Sequence, residues 1–84
     1  EFSTSKLNRW LSEIQETGFT VTKGKTVLRI KYVTQTGTCP PRFTFFCNRP
    51  DVVTDNYRRF IENRLRASFQ LEGTPIRIGF KKKD

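Results

Sequence analysis

The 84-residue sequence contains no histidine, no methionine and only two cysteines, Cys39 and Cys47. Structural zinc sites draw their four ligands mainly from cysteine and histidine, so this composition does not predict a metal site. The two cysteines do not form a Cys-x-x-Cys pair, and we interpret both as free thiols. Because general-base catalysis most often uses histidine, the same absence argues against an enzyme active site.

Long hydrophobic runs are also missing. No stretch of about 18 apolar residues is present to span a membrane, and the start lacks the charged, apolar and small-residue succession of a secretory signal. We therefore expect a soluble cytoplasmic chain with no membrane partner. Glu1-Phe2 is the dipeptide that a common restriction site encodes, so residues 1–3 are interpreted as cloning-derived or linker residues of a fragment.

Positive charge and aromatic residues are abundant instead. Lysine and arginine number 16 against 8 aspartate and glutamate, which gives a net charge of +8. Eight phenylalanines supply enough large apolar side chains for one small folded domain. The charge predicts affinity for a polyanion such as nucleic acid.

Apolar side chains recur every three or four residues in two segments and every second residue in three, which indicates two helices and three strands. The predicted elements, in chain order, are a helix at 5–16, a strand at 26–34, a strand at 42–48, a helix at 55–69 and a strand at 76–81. Thr4 or Ser5 is the expected cap of the first helix, and Gly18 its end. Consecutive prolines predict a loop at 35–41.

This order, α-β-β-α-β, predicts an α+β fold with a mixed three-stranded sheet and both helices packed on one face. A right-handed crossover makes the second and third strands parallel. The order of the strands in the sheet is not predicted. The strand residues expected to face the core are Leu28, Ile30, Tyr32, Phe43, Phe45, Ile76, Ile78 and Phe80.

The other face of the sheet is the main candidate site. With the apolar set turned inward, it would carry a basic group with one exposed aromatic ring: Arg29, Lys31, Arg77, Lys81 and Phe46. Such a surface suits phosphates and a stacked base. A docking surface for a protein partner and a plain solvated face, which is commonly rich in lysine and arginine, are the alternatives.

The second helix offers a rival basic surface in Arg58, Arg59 and Arg66. Glu62 lies four residues from Arg58 and from Arg66, so we expect ion pairs that engage part of this charge. Gly24-Lys25-Thr26 superficially matches a phosphate-binding loop, but here a helix precedes it and a strand follows, which is the reverse of the required order.

Several blocks of this sequence resemble the C-terminal KH-like domain of the Der (EngA) GTPase family. The blocks are residues 4–11 (TSKLNRWL), 31–35 (KYVTQ), 45–50 (FFCNRP), 57–66 (YRRFIENRLR) and 73–77 (GTPIR). They occur in the same order over one domain. The resemblance implies a KH-like domain at 4–82, with 83–84 as the end of a basic tail.

The resemblance also implies a function. The parent protein would be a GTPase with two GTP-binding domains that acts in biogenesis of the large ribosomal subunit, in the bacterial cytoplasm or in an organelle stroma or matrix. This domain would be non-catalytic, with GTP and magnesium bound only by the absent domains. It would contribute to ribosome and rRNA binding and pack against the GTPase domains. The alternative is a docking module that senses nucleotide state without RNA contact.

The sequence departs from ordinary KH domains in one motif. Because no two glycines are three positions apart, the Gly-x-x-Gly loop of ordinary KH domains is missing.

Overall fold

The computed structural model describes residues 2–83 and confirms the predicted α+β class. The elements, in chain order, are α1 (Thr4–Glu16), β1 (Thr22–Lys23), β2 (Thr26–Val27), β3 (Ile30–Thr38), β4 (Pro41–Cys47), a 3₁₀ turn (Pro50–Val52), α2 (Asp55–Ser68) and β5 (Arg77–Lys82). Neither helix of the described residues has the length and hydropathy needed to cross a membrane. Residue 1 belongs to the segment interpreted as cloning-derived or linker, and residue 84 to the predicted end of a basic tail. Both lie outside the described part.

Helix α1 begins one residue earlier than predicted and is capped by Ser3 rather than by Thr4 or Ser5. The Ser3 hydroxyl accepts a hydrogen bond from the Lys6 backbone N–H at 3.2 Å, which satisfies one of the free amides of the first turn. Gly18 follows the helix with φ of +81°, as its position after the apolar stripe predicts. The buried residues of α1 are the four of the predicted stripe: Leu7, Trp10, Leu11 and Ile14.

Two extended segments of the structure were predicted as non-regular chain. Strands β1 and β2 form a small antiparallel hairpin in place of a polar bend, with Gly24 at φ of +61° in its two-residue turn. The segment 35–41, predicted as a loop, is mostly strand, because β3 continues to Thr38 and pairs with Pro41. A proline at the first position of a strand removes only one donor, so Pro41 is compatible with this pairing.

The main sheet has the order β3-β4-β5. Strands β3 and β4 are antiparallel, whereas β4 and β5 are parallel, as the crossover rule predicted. Phe43 and Phe45 on the central strand β4 are fully buried beneath both helices. The core therefore lies between the helices and one face of the sheet.

One core prediction, that of Tyr32, is wrong because β3 contains a bulge. The pairing with β4 shifts between Ile30 and Tyr32, so Lys31 is an extra residue and the side chains from Tyr32 to Gln35 change face. Val33 is consequently fully buried, while Tyr32 lies on the outer face and stacks on Phe46. A second register shift lies between Gln35 and Gly37. The other seven strand residues expected in the core are buried or packed against it.

Helix α2 is capped by Thr54, whose hydroxyl accepts from the Tyr57 N–H at 3.1 Å. It ends at Ser68, one residue before the predicted end, and Phe69 follows as its C-cap. Tyr57, Ile61 and Leu65 form its buried stripe. The two helices therefore bury their stripes on the same side of the sheet.

Side-chain amides from α1 cover the free edge of β3. Asn8 accepts from the Val33 N–H at 2.8 Å and donates to the Val33 carbonyl at 2.9 Å. Gln15, two turns later, makes the same pair of contacts with Ile30 at 3.3 and 3.1 Å. These amides satisfy the backbone groups that an added strand would otherwise use.

Residues near the two ends contact the fold. The Phe2 ring lies 5.1 Å from Phe69 and 6.2 Å from Phe43, centroid to centroid. At the other end, the Lys83 N–H donates to the Cys47 carbonyl at 2.9 Å. The domain limits of 4 and 82 stay a prediction.

Candidate nucleic-acid interface

The face of the sheet opposite the helices carries basic side chains at both ends. In the parallel pair, Arg42 lies beside Arg77, and Phe46 lies beside Lys81 four residues further along. Arg42, Arg77 and Lys81 are exposed. We call this surface the open sheet face and define it by Tyr32, Thr34, Thr36, Arg42, Thr44, Phe46, Arg77 and Lys81.

No acidic residue lies in the sheet that carries this face. Strands β3, β4 and β5 contain five lysines and arginines and no aspartate or glutamate. The six acids of the described residues lie in α1, the 3₁₀ turn, α2 and the loop after α2: Glu13, Glu16, Asp51, Asp55, Glu62 and Glu72. No acid within the sheet therefore offsets the positive charge of β3, β4 and β5. This favours an anionic partner at the sheet.

Tyr32 and Phe46 form a stacked aromatic pair on the open sheet face. Their ring centroids are 4.7 Å apart and their planes differ by 21°. The Lys83 ammonium lies 5.6 Å from the Tyr32 centroid, within the range of a cation–π contact. Phe46 was predicted here as an isolated exposed ring, and the structure shows it half-buried with a partner.

Threonines occupy the middle of the open sheet face. Thr34 lies opposite Thr44 in the register, and the Thr36 and Thr44 hydroxyls are 3.1 Å apart. Thr44 is only 6% exposed although it points away from the core, because its neighbours on the sheet cover it. The centre is thus uncharged, and the cationic groups lie at the two ends of the face.

Two of the predicted basic residues are placed differently from the rest. Arg29 is exposed but lies in the link between β2 and β3, so it is not a member of the sheet as predicted. Its backbone N–H donates to the Asn48 side chain at 2.8 Å. Lys31 is exposed at the bulge, where its ammonium approaches the Lys83 carbonyl at 3.5 Å. Sequence alternation assigned both to a regular strand that the structure does not contain.

Two of the three predicted helix arginines are engaged within the fold. Arg58 donates to the Ile78 carbonyl of β5 at 3.0 Å, and its guanidinium lies 5.3 Å from the Phe80 ring centroid. Glu62 pairs with Arg66 at 3.6 Å, whereas the ion pair predicted between Glu62 and Arg58 is not among those of residues 2–83. Arg59 alone of the three is fully exposed.

Cys47, Tyr57 and Asp51 have shifted pKa values, and none of them belongs to the open sheet face. Burial raises the pKa of the Cys47 thiol, so this thiol stays protonated near neutral pH. Burial also raises the pKa of Tyr57 to about 12. The exposed Arg49–Asp51 pair, 2.6 Å between charged atoms, lowers the pKa of Asp51 to about 2. Within residues 2–83, no three side chains of histidine, cysteine, aspartate or glutamate come together as metal ligands do.

Sequence reasoning missed Tyr32 as a member of the site. A one-residue bulge has no motif in a single sequence, and Tyr32 and Val33 are equally good strand residues. Lys83 was assigned to a tail, yet it reaches the aromatic pair. The aromatic neighbours at 32 and 46 could have suggested a cross-strand pair only once the register was known.

Comparison with known proteins places this sequence in a family. A family model described as the KH-domain-like C-terminal domain of EngA bacterial GTPase enzymes matches residues 1–81. GTPase Der of Chlorobium phaeobacteroides (strain BS1) is 47% identical over 83 residues, which are 99% of this chain and 19% of that protein. GTPase Der of Rickettsia bellii (strain OSU 85-389) is 42% identical over 83 residues, 98% of this chain and 18% of that protein. The chain thus spans about a fifth of the length of these relatives.

Proposed function

The chain belongs to the family of KH-domain-like C-terminal domains of EngA bacterial GTPases, and from that membership we propose that it is an accessory RNA-binding domain. It contributes to binding of the large ribosomal subunit through rRNA and packs against the GTPase domains of the same polypeptide. The RNA contact is made by the open sheet face. Its role is to hold the GTPase at its site of action during assembly of the subunit.

One observation carries the proposal: the acid-free sheet presents exposed arginines at one end of its open face and an exposed lysine at the other. Phosphate backbones are bound mainly by such cations, and the binding is weakened by salt because counterions are released. Of the helix arginines, Arg58 supports the fold and Arg66 pairs with Glu62, so these two offer less free charge. The free edge of β3 is covered by Asn8 and Gln15, which directs a partner to the face instead.

The proposal is tested by reversing two charges on each surface. We expect the 84-residue chain with Arg77→Glu and Lys81→Glu to bind large-subunit rRNA fragments at least about tenfold more weakly at low salt, with the slope of log affinity against log salt reduced by about 2. Fluorescence anisotropy measures both quantities. Neither residue is part of the core, so the circular dichroism spectrum should not change.

The matched control carries Arg59→Glu and Arg64→Glu, at two exposed positions of α2. It alters the net charge by the same amount. A much smaller loss is expected for this control. If the two double variants weaken binding equally, only the overall charge matters and the open sheet face is not the site. Equal binding by the unsubstituted chain and both variants would contradict RNA binding through either surface.

We further infer that this domain is non-catalytic and that GTP and magnesium are bound by other domains of the parent protein. The segment Gly24-Lys25 is the two-residue turn of the β1–β2 hairpin, so it does not lead into a helix N-terminus as a phosphate-binding loop must. We also expect the parent to act in the cytoplasm or in an organelle stroma or matrix.

A docking function on the helix side is the second candidate, and Phe19 favours it. Phe19 is 44% exposed and is the exposed large apolar side chain of the described residues. It stacks on Tyr57 and packs edge-on against Phe60, with ring centroids 5.7 and 4.5 Å apart. An aromatic cluster at the surface suits a protein partner such as a GTPase domain, and it lies away from the open sheet face.

A further inference from the structure

We propose that the open sheet face binds the phosphate backbone of double-stranded or rigidly folded RNA, and that it does not stack the bases of a single strand. This inference rests on the proposed function and specifies the form of RNA that the same surface accepts. It separates this domain from modules in which aromatic side chains on a sheet serve as a platform for unpaired bases.

The first argument is the orientation of the two rings. Tyr32 and Phe46 lie on neighbouring strands, which are about 4.8 Å apart, and their centroids are 4.7 Å apart with nearly parallel planes. The rings therefore face each other along the direction between strands and stand upright on the sheet. An upright pair presents ring edges to a ligand, whereas a stacked base needs a ring face.

The second argument is that Tyr32 has a further neighbour within the chain besides Phe46. Lys83 places its ammonium 5.6 Å from the Tyr32 centroid, so this ring has an aromatic and a cationic neighbour. A base that stacked on Tyr32 would have to displace one of them. Stacking of a base on Tyr32 would therefore cost contacts that the folded chain already makes.

The third argument is the spacing of the cations. Arg42 and Arg77 are neighbours at one end of the face, and Lys81 lies four residues from Arg77 along β5, about 13 Å away at 3.3 Å per residue. A duplex holds its phosphates at fixed positions over such a distance, whereas a flexible single strand must lose conformational freedom to match it. Between these ends, the exposed side chain of Thr36 offers a short polar group, whereas the Thr44 hydroxyl, 3.1 Å from that of Thr36, is covered.

The test compares a 12-base-pair RNA duplex of mixed sequence with its two separated strands and with oligouridine of the same length. Anisotropy titrations use the 84-residue chain and its Phe46→Leu variant, which keeps an apolar side chain and removes the ring. We expect the duplex to bind at least about fivefold more tightly than any single strand. We also expect Phe46→Leu to change either affinity by less than about twofold.

A different pattern overturns the inference. One base stacked on an aromatic ring is worth about 5- to 150-fold in affinity, so a loss of that size for oligouridine in Phe46→Leu would show base stacking. Equal or tighter binding of single strands by the unsubstituted chain would also refute it, and this comparison needs no variant to fold. In both cases the proposed RNA-binding function survives. Binding of neither RNA form at low salt refutes the function and the inference together.

Discussion

The open sheet face and the solvent side of α2 carry similar numbers of basic residues but use them differently. On α2, residues four positions apart are neighbours, so Glu62 can pair with Arg66 and reduce its free charge. On the sheet, neighbours come from different strands, and none of those strands contributes an acid. Arg77 is consequently left free by the fold, whereas Arg58 is bound to the Ile78 carbonyl. Equal charge in the sequence therefore does not mean equal availability for a ligand.

The largest expected effect tests the bulge that gives the open sheet face its aromatic pair. Val33→Asp places a carboxylate in the core, where an unpaired charge is strongly unfavourable, and should lower the free energy of unfolding by more than about 4 kcal/mol. Tyr32→Asp, at the neighbouring position, should lower it by only about 1–2 kcal/mol through the lost ring contact. Urea unfolding followed by Trp10 fluorescence measures both values. In a strand without the bulge, Tyr32 would be the core residue and the order of the two effects would be reversed.

This bulge also marks the limit of what the sequence could predict. The apolar stripes of α1 and α2 follow from spacing alone, since each helix repeats its pattern over three or more turns and one misplaced residue does not change the face. In β3, one extra residue at Lys31 moves the side chains of residues 32–35 to the opposite face, and a second register shift follows Gln35. Regular alternation of Leu28, Ile30 and Tyr32 with Arg29 and Lys31 therefore suggested a strand that the fold interrupts.

The candidate site was predicted best on strands with regular pairing. Arg77 and Lys81 lie on the outer face of β5 as expected, because β5 has no register shift against β4. Arg29 was misplaced, since a single sequence does not show that a short hairpin precedes β3. The role of Arg58 was also not predictable, because its carbonyl partner on Ile78 is 20 residues away and becomes a neighbour only after the crossover forms.

A second, intermediate effect separates the arginines that stabilise the fold from those that are free. Arg58→Ala removes a hydrogen bond to a part-buried carbonyl and a cation–π contact with Phe80, and should lower the free energy of unfolding by about 1–2 kcal/mol. Arg59→Ala, the matched exposed neighbour, should stay within about 0.5 kcal/mol of the unsubstituted chain. Chemical unfolding of the two variants checks this difference. A loss of RNA affinity in Arg58→Ala that exceeds the loss in Arg59→Ala, with stability unchanged, would assign Arg58 to the ligand instead.

The smallest expected effect concerns Glu62, the acid that partly neutralises α2. Glu62→Gln removes the ion pair with Arg66. The pair is long, at 3.6 Å, and its side chains are 28% and 26% exposed, so stability should change by no more than about 0.5 kcal/mol. The substitution also raises the net charge by one and leaves Arg66 without its acidic partner. Glu72→Gln raises the net charge equally but lies in the exposed loop after α2, so it is the matched control.

The two variants are then compared for RNA affinity. If RNA is bound by the open sheet face, both variants should increase RNA affinity by the same small factor, less than about twofold at 0.15 M salt, because charges beyond about 8 Å are screened. An increase in Glu62→Gln that clearly exceeds that of Glu72→Gln would show that the released Arg66 contacts RNA, and α2 would then share in the interface.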